Sequence, residues 1–296
     1  MGSDTVRQNS VKAWLLASRP KTLTGAAVPV MLATALAFSN YQVKWEAAIL
    51  CFLFAFMMQI DANFINDYFD CVRGNDDETR LGPKRACAMG WISLRAMRNG
   101  IALMTVLACI VGLPLAYWGG WEMVLIGIAC VIFSFLYTTY LSYLGLGDLL
   151  VLIFFGIVPV CCTYYIETEG MMQWQTVAVS VACGLVIDTL LIINNYRDID
   201  NDRRAGKHTL AVILGKKAME ILYLCLVPVA VAIIACAMET PWTTLAAGCV
   251  IMVFHVTTWM RMRKISAGPA LNGILGKTAR NIFLFGILVC IAVILC

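Results

Sequence analysis

Two short stretches of this chain crowd oxygen-bearing side chains together. Residues 66–76 read NDYFDCVRGND, and residues 194–202 read NNYRDIDND. Residues four apart on a helix share a face. Asn66 and Asp70 then form one stripe of oxygens, and Asn194, Asp198 and Asp202 form another. Carboxylates this close repel one another, and a hard cation relieves them. Mg²⁺ takes one or two carboxylates and completes its shell with phosphate oxygens and water. Two facing stripes would hold two such ions with a diphosphate between them. Metal ligands are therefore expected at Asn66, Asp70, Asp76, Asn194, Asp198 and Asp202, and the catalytic carboxylates at Asp70, Asp198 and Asp67. Cations interleave with these acids. Arg grips phosphate oxygens through two prongs, and Lys acts as a point charge. Diphosphate contacts are expected from Arg73, Arg80, Arg85, Arg197 and Lys207.

The elements that must position these residues are membrane helices. The chain has 296 residues, 61% hydrophobic and 14% charged. Soluble proteins carry about a quarter charged residues. Runs of about twenty apolar residues recur, each long enough to span a bilayer as a helix. Transmembrane β-barrels alternate polar and apolar residues, and these runs do not. The expected fold is all-α: a polytopic bundle of about nine spans, near 22–38, 46–66, 100–118, 121–140, 148–166, 174–194, 218–237, 241–259 and 279–296. It forms one domain over 1–296, with loops 67–99 and 195–217 capping the site. Of the 22 Lys and Arg residues all but Lys44 fall on one side of these spans, which the positive-inside rule makes cytoplasmic together with the N-terminus. Ala35-Leu36-Ala37 loosely imitates a signal-peptide cleavage site. No cleavage is expected, because Arg19-Pro20-Lys21-Thr22 before it reads as part of the site. The thirteen cysteines scatter through apolar runs without a zinc-like spacing and read as small hydrophobes.

The two acidic stretches are an internal repeat. An offset of 128 lays Asn66 on Asn194, Tyr68 on Tyr196 and Asp70 on Asp198, each copy at the cytoplasmic end of a span. This implies a tandem duplication with parallel halves. Asp61 and Asp188 lie about two turns inside their spans, where an ionisable group is costly and usually faces a cavity or the bundle interior. They line a polar cavity beneath the motifs or hydrogen-bond a neighbouring helix.

Five blocks in order, RPKTL at 19–23, NDYFDCVRGND at 66–76, RLGPKRA at 80–86, GLGD at 145–148 and NNYRDIDNDRRAGKHTLAVILG at 194–215, resemble the UbiA superfamily of intramembrane aromatic prenyltransferases. The likeness runs through most of the chain. Gly74, two residues before Asp76, stands where the general motif has its last Asp, as in the branch that prenylates 1,4-dihydroxy-2-naphthoate. Tyr137 is followed four later by Leu141 rather than the Lys of the hydroxybenzoate branch, and Asp148 replaces an expected Glu. The resemblance implies an Mg²⁺-dependent enzyme of menaquinone biosynthesis. It would transfer a polyprenyl group from an all-trans polyprenyl diphosphate to 1,4-dihydroxy-2-naphthoate, with loss of CO₂ and pyrophosphate, giving demethylmenaquinone. Acceptor contacts are expected from Arg19, Lys21, Asn63, Asn195 and Asp148. The implied setting is the bacterial cytoplasmic (inner) membrane, among lipid, with the active site facing the cytoplasm and no nucleic-acid partner. The rival acceptors are 4-hydroxybenzoate and homogentisate. A cation transporter is a rival of another class, disfavoured because arginines crowd the acids.

Overall fold

The structure, a computed structural model, describes residues 6–75, 80–239 and 241–295. Among them there is helix and no strand. In chain order the helices are α1 (Val11–Ser18), α2 (Thr24–Asn40), α3 (Trp45–Val72), α4 (Leu94–Gly112), α5 (Ala116–Gly119), α6 (Glu122–Thr139), α7 (Gly147–Val151), α8 (Val158–Glu167), α9 (Trp174–Arg204), α10 (Leu210–Ala237), α11 (Pro241–Ile265) and α12 (Leu271–Ile294). A π-helical segment, Leu152–Ile157, joins α7 to α8 so that the three cross together. Eight helices are long and apolar enough to span a membrane, and the bent pair Val11–Thr22 and Thr24–Asn40 makes nine. The protein is therefore an integral membrane helical bundle.

The bundle is organised around α9. Its inward residues Val179, Ala182, Cys183, Val186 and Ile187 pack with residues of α2, α8, α10, α11 and α12 in the largest apolar cluster. A second cluster carries the C-terminal part of α9 onto α10, α11 and α12 through Ile192, Ile193, Tyr196 and Tyr223. A third joins α1, α3, α4 and the loop at 86–92. No hydrophobic force holds apolar helices together in lipid, so close backbone approach at small residues does that work. Gly156 and Gly184 provide it: a Cβ on Gly156 would lie 2.6 Å from the Ser180 carbonyl and 2.7 Å from the Gly184 Cα.

Length then decides where the motifs sit. The 31 residues of α9 extend about 46 Å at 1.5 Å per residue, against about 30 Å of hydrocarbon. The 28 residues of α3 reach about 42 Å. Both helices overrun the bilayer and carry their acidic stretches in the excess. Both stop in the same way. Gly74 (φ 70°) and Gly206 (φ 71°) adopt the left-handed conformation that glycine enters without steric cost. Asn75 N–H then returns to the Asp70 carbonyl and Lys207 N–H to the Asp202 carbonyl, at 3.0 and 2.9 Å. The Gly that stands in place of the last motif Asp is thus the helix stop. Counted from these stops, Asp70 matches Asp202, so α9 runs one turn further past its motif than α3.

Filling the glycine contact should loosen the bundle. Gly156→Val is expected to cost about 1–3 kcal/mol of overpacking strain, lowering the unfolding temperature in detergent by roughly 2–10 °C. An unchanged thermal unfolding curve would contradict the backbone contact.

Candidate active site

The ends of α3 and α9 open onto one chamber of about 460 Å³. Asn66 and Asp70 enter it from α3, and Asn194, Asn195, Arg197, Asp198, Asn201 and Asp202 from α9. The two stripes of oxygens therefore face a shared space, as their spacing predicts. The loop after α3 adds Asn75, Arg80 and Arg85, the bend before α2 adds Arg19 and Lys21, and Asp148 comes from the first turn of α7.

Asp70, Asp198 and Asp202 each have a cationic partner. Arg85 Nη2 donates to Asp70 Oδ2 at 3.1 Å, with both side chains largely buried. Arg197 grips Asp198 through two prongs, Nε to Oδ1 at 2.8 Å and Nη2 to Oδ2 at 2.5 Å. Lys207 lies 3.8 Å from Asp202. The cationic groups of Arg73 and Lys207 sit 5.2 and 5.4 Å from the Tyr143 ring centroid, a favourable placement against a π system. Tyr143 also accepts from Asn75 Nδ2 at 2.9 Å through its hydroxyl. The loop at 141–146, which lacks Lys and Arg, thereby ties the two motifs together.

Beneath the chamber runs an apolar groove of about 510 Å³. It follows α6 from Tyr137 down to Met123, fourteen residues or about 21 Å of helix. Ala55, Met58, Phe133, Phe154 and Phe155 are among its walls. Arg19, Thr22, Asn66, Tyr137, Leu191 and Asn194 line both spaces. A charged head in the chamber and an apolar tail in the groove would be continuous through these six.

Comparison with known proteins agrees with this layout. The UbiA prenyltransferase family matches residues 26–271. The chain belongs to that family. It is 34% identical over 224 residues to the 1,4-dihydroxy-2-naphthoate octaprenyltransferase of Escherichia coli K12, covering 73% of this chain and 72% of that protein. It is 33% identical over 268 residues to the enzyme of the same name from Mycobacterium tuberculosis, covering 89% and 88%. The fold is that of a UbiA homolog from Archaeoglobus fulgidus bound to DMAPP and Mg²⁺, with a TM-score of 0.62 over 94% of this chain and 98% of that one, at 15% identity.

Three expected site residues are placed differently from the rest. Asp67 does not reach the chamber. It is buried, and its carboxylate accepts from Ala86 N–H and Cys87 N–H, each at 2.9 Å. It latches the following loop. The reason lies in the helix: Asp67 is one residue, about 100°, around from Asn66. Arg73 also lies outside the chamber lining and donates to the carbonyls of Thr138 and Thr139, at 3.1 and 2.8 Å. Those carbonyls end α6, where a cation is favoured. Asn63 lines the groove rather than the chamber, and its amide donates to Ser18 O and Thr22 Oγ1. That pair of bonds holds the bend at Arg19, itself in the left-handed region at φ 49°. Asp76 lies outside the described residues. The deeper acids separate as well. Asp61 accepts from Thr105 Oγ1 on α4 at 2.7 Å and lines neither cavity, whereas Asp188 lies within electrostatic reach of Asp148.

Two residues that brace the chamber carry no motif signal. Asn272, on α12, accepts from Arg197 Nη1 and donates to the Leu81 carbonyl, both at 2.8 Å. It joins the loop of the first motif to the second. Thr138 Oγ1 donates to Asn66 Oδ1 at 2.6 Å and fixes that amide. Only the folded arrangement brings these together with the motifs.

The latch gives a test that does not involve turnover. Removing two hydrogen bonds to a buried charged group costs roughly 3 kcal/mol. Asp67→Ala is expected to raise trypsin cleavage at Arg80, Lys84 and Arg85 by about ten- to a hundredfold. An unchanged cleavage rate would remove Asp67 from that role.

Proposed function

We propose that this protein transfers a polyprenyl group from an all-trans polyprenyl diphosphate to 1,4-dihydroxy-2-naphthoate, releasing pyrophosphate and CO₂ and forming the prenylated naphthalenediol, the reduced (quinol) form of demethylmenaquinone. The observation that carries the reading is the continuity of a charged chamber with an apolar groove. A prenyl diphosphate is such a molecule, a charged head on a hydrocarbon tail. The acceptor is supported by the named activity of relatives that match along most of their length.

Asn66, Asp70, Asn194, Asp198 and Asp202 would hold Mg²⁺. Among the described residues no three His, Cys, Asp or Glu side chains close around one point. That fits an ion which usually uses one or two protein carboxylates and takes the rest of its shell from phosphate and water. When bound, Mg²⁺ would neutralise charge developing on the leaving diphosphate. The chain's own part is clearer still. Arg80, Arg85, Arg197 and Lys207 bind the phosphate oxygens. The groove takes the tail and keeps water from the allylic carbon as its C–O bond breaks. Tyr137, at the junction of the two spaces, presents an aromatic surface to the positive charge that forms there. Arg19 and Lys21 take the acceptor carboxylate, and Asn195 lines the same wall. The ring carbon that bears the carboxylate bonds to the allylic carbon. The C–CO₂ bond then breaks and its electrons restore the aromatic ring. The excess of Lys and Arg on that side supports a chamber facing the cytoplasm, and the bacterial relatives support an inner-membrane setting.

Mass spectrometry of products formed from dihydroxynaphthoate and a mixture of prenyl diphosphates tests the assignment. Demethylmenaquinone should form with Mg²⁺, vanish with EDTA and return when Mg²⁺ is restored. Transfer in metal-free buffer would exclude the metal role, and a prenylated hydroxybenzoate as the sole product would exclude the acceptor. Asp70→Asn and Asp198→Asn should each lower kcat by roughly 10²-fold or more. Asn is used because Ala would strand the buried Arg85 and Arg197. Near-normal kcat in either variant would contradict its role.

A further inference from the structure

The spans bury more acid than the diphosphate reading uses. Asp61 and Glu167 each accept a hydroxyl hydrogen bond, from Thr105 and Thr34 respectively, both at 2.7 Å. Asp148 and Asp188 have no such partner. A buried Oδ1 of each lacks any hydrogen bond, as does the second oxygen of Asp61 and of Glu167, but among the described residues Asp148 and Asp188 have neither a hydroxyl partner nor an ion pair. Asp188 is only 6% exposed. Buried carboxyl oxygens without partners are costly and rarely kept. These two belong to different helices, α7 and α9, and interact with each other electrostatically. Both also interact with the Tyr137 phenol. Asp148 and Tyr137 line the chamber, and Tyr137 lines the groove as well. The unpartnered oxygen of Asp148 therefore stands on the chamber wall shared with Tyr137, whereas Asp188 is buried on α9 and lines neither space.

The acceptor would supply the missing hydrogen bond. A dihydroxynaphthoate ring presents a carboxylate, which suits Arg19 and Lys21 on the same chamber wall, and hydroxyl groups, which suit a bare carboxylate. We propose that Asp148 accepts the proton of an acceptor ring hydroxyl, and that Asp188, buried on the neighbouring α9, positions it. This rests on the prenyl-transfer reading above. The O–H bond breaks and its proton passes to Asp148. The oxygen's electrons move into the ring as the new C–C bond forms and the allylic C–O bond breaks. After CO₂ leaves, the electrons of that bond return to the oxygen, which takes the proton back. In this account Asp148 is a catalytic residue and Asp188 a positioning residue.

The test compares ligands with and without hydroxyls, using full-length protein in detergent with Mg²⁺. General-base loss lowers rates by roughly 10²–10⁴-fold, so Asp148→Asn should lower kcat within that range while the KM for prenyl diphosphate holds. Its affinity for dihydroxynaphthoate should fall. Competition by 2-naphthoate, which lacks both hydroxyls, should stay unchanged. Asp148→Glu should recover part of the rate. Asp188→Asn should show the same pattern with a smaller loss, and Asp188→Ser serves if the Asn variant does not fold. A variant that weakens 2-naphthoate as much as the dihydroxy acceptor would reveal a structural role and overturn the proposal, as would a near-normal kcat in Asp148→Asn. Wild-type protein that prenylates no dihydroxynaphthoate would sink the acceptor reading itself, a failure visible before any variant is made.

Discussion

The structure depends on keeping acids and cations in register at the ends of two helices that outrun the bilayer. Asp70, Asp198 and Asp202 would repel one another across a single chamber. Arg85, Arg197 and Lys207 prevent this, each from a position that another part of the fold must hold. Arg85 lies in the loop latched by Asp67, immediately before the latched Ala86 and Cys87. Arg197 is braced by Asn272 from the last helix. Lys207 comes just after the glycine stop of α9. Electrostatics at this one place thus require α3, α9, α12 and both long loops to be correctly assembled.

That balance also suits the proposed chemistry. A carboxylate paired with Arg is occupied, and so is the guanidinium. On the proposed reading, a diphosphate arriving with its metal would exchange partners on both sides at once: the carboxylates would turn to the cation and the guanidinium groups to phosphate. No charge has to be buried alone at any stage, which would cost several kcal/mol. The pairs seen here hold both binding partners ready while keeping them out of each other's way.

Much of this was legible in the sequence, and the exceptions have physical causes. The spans followed from apolar run length, since lipid leaves helices few alternatives. The Asn66/Asp70 and Asn194/Asp198/Asp202 stripes followed from a spacing of four. The same geometry excludes Asp67 from the stripe, and ignoring it was avoidable. Arg73 and Arg85 could not be told apart, because which cation meets which acid depends on the path of a loop. Asp61 and Asp188 looked equivalent by depth, yet the offset of 128 pairs Asp61 with Thr189. One residue is about 100° of helix, enough to turn one acid toward α4 and the other toward Asp148. Asn272 and Thr138 had no local signal, since their importance comes from what lies opposite.

The six residues shared by chamber and groove have a wider meaning. They set the depth at which head and tail meet, and so the level at which the bond must break. Everything above that level is concerned with the ring and the leaving group, everything below with hydrocarbon alone. Substitutions along the groove-only part of α6, residues 123–134, would therefore lengthen or shorten the side chain of the product without disturbing its ring chemistry. Inheritance can adjust the two halves of one lipid separately, because a single protein surface divides them.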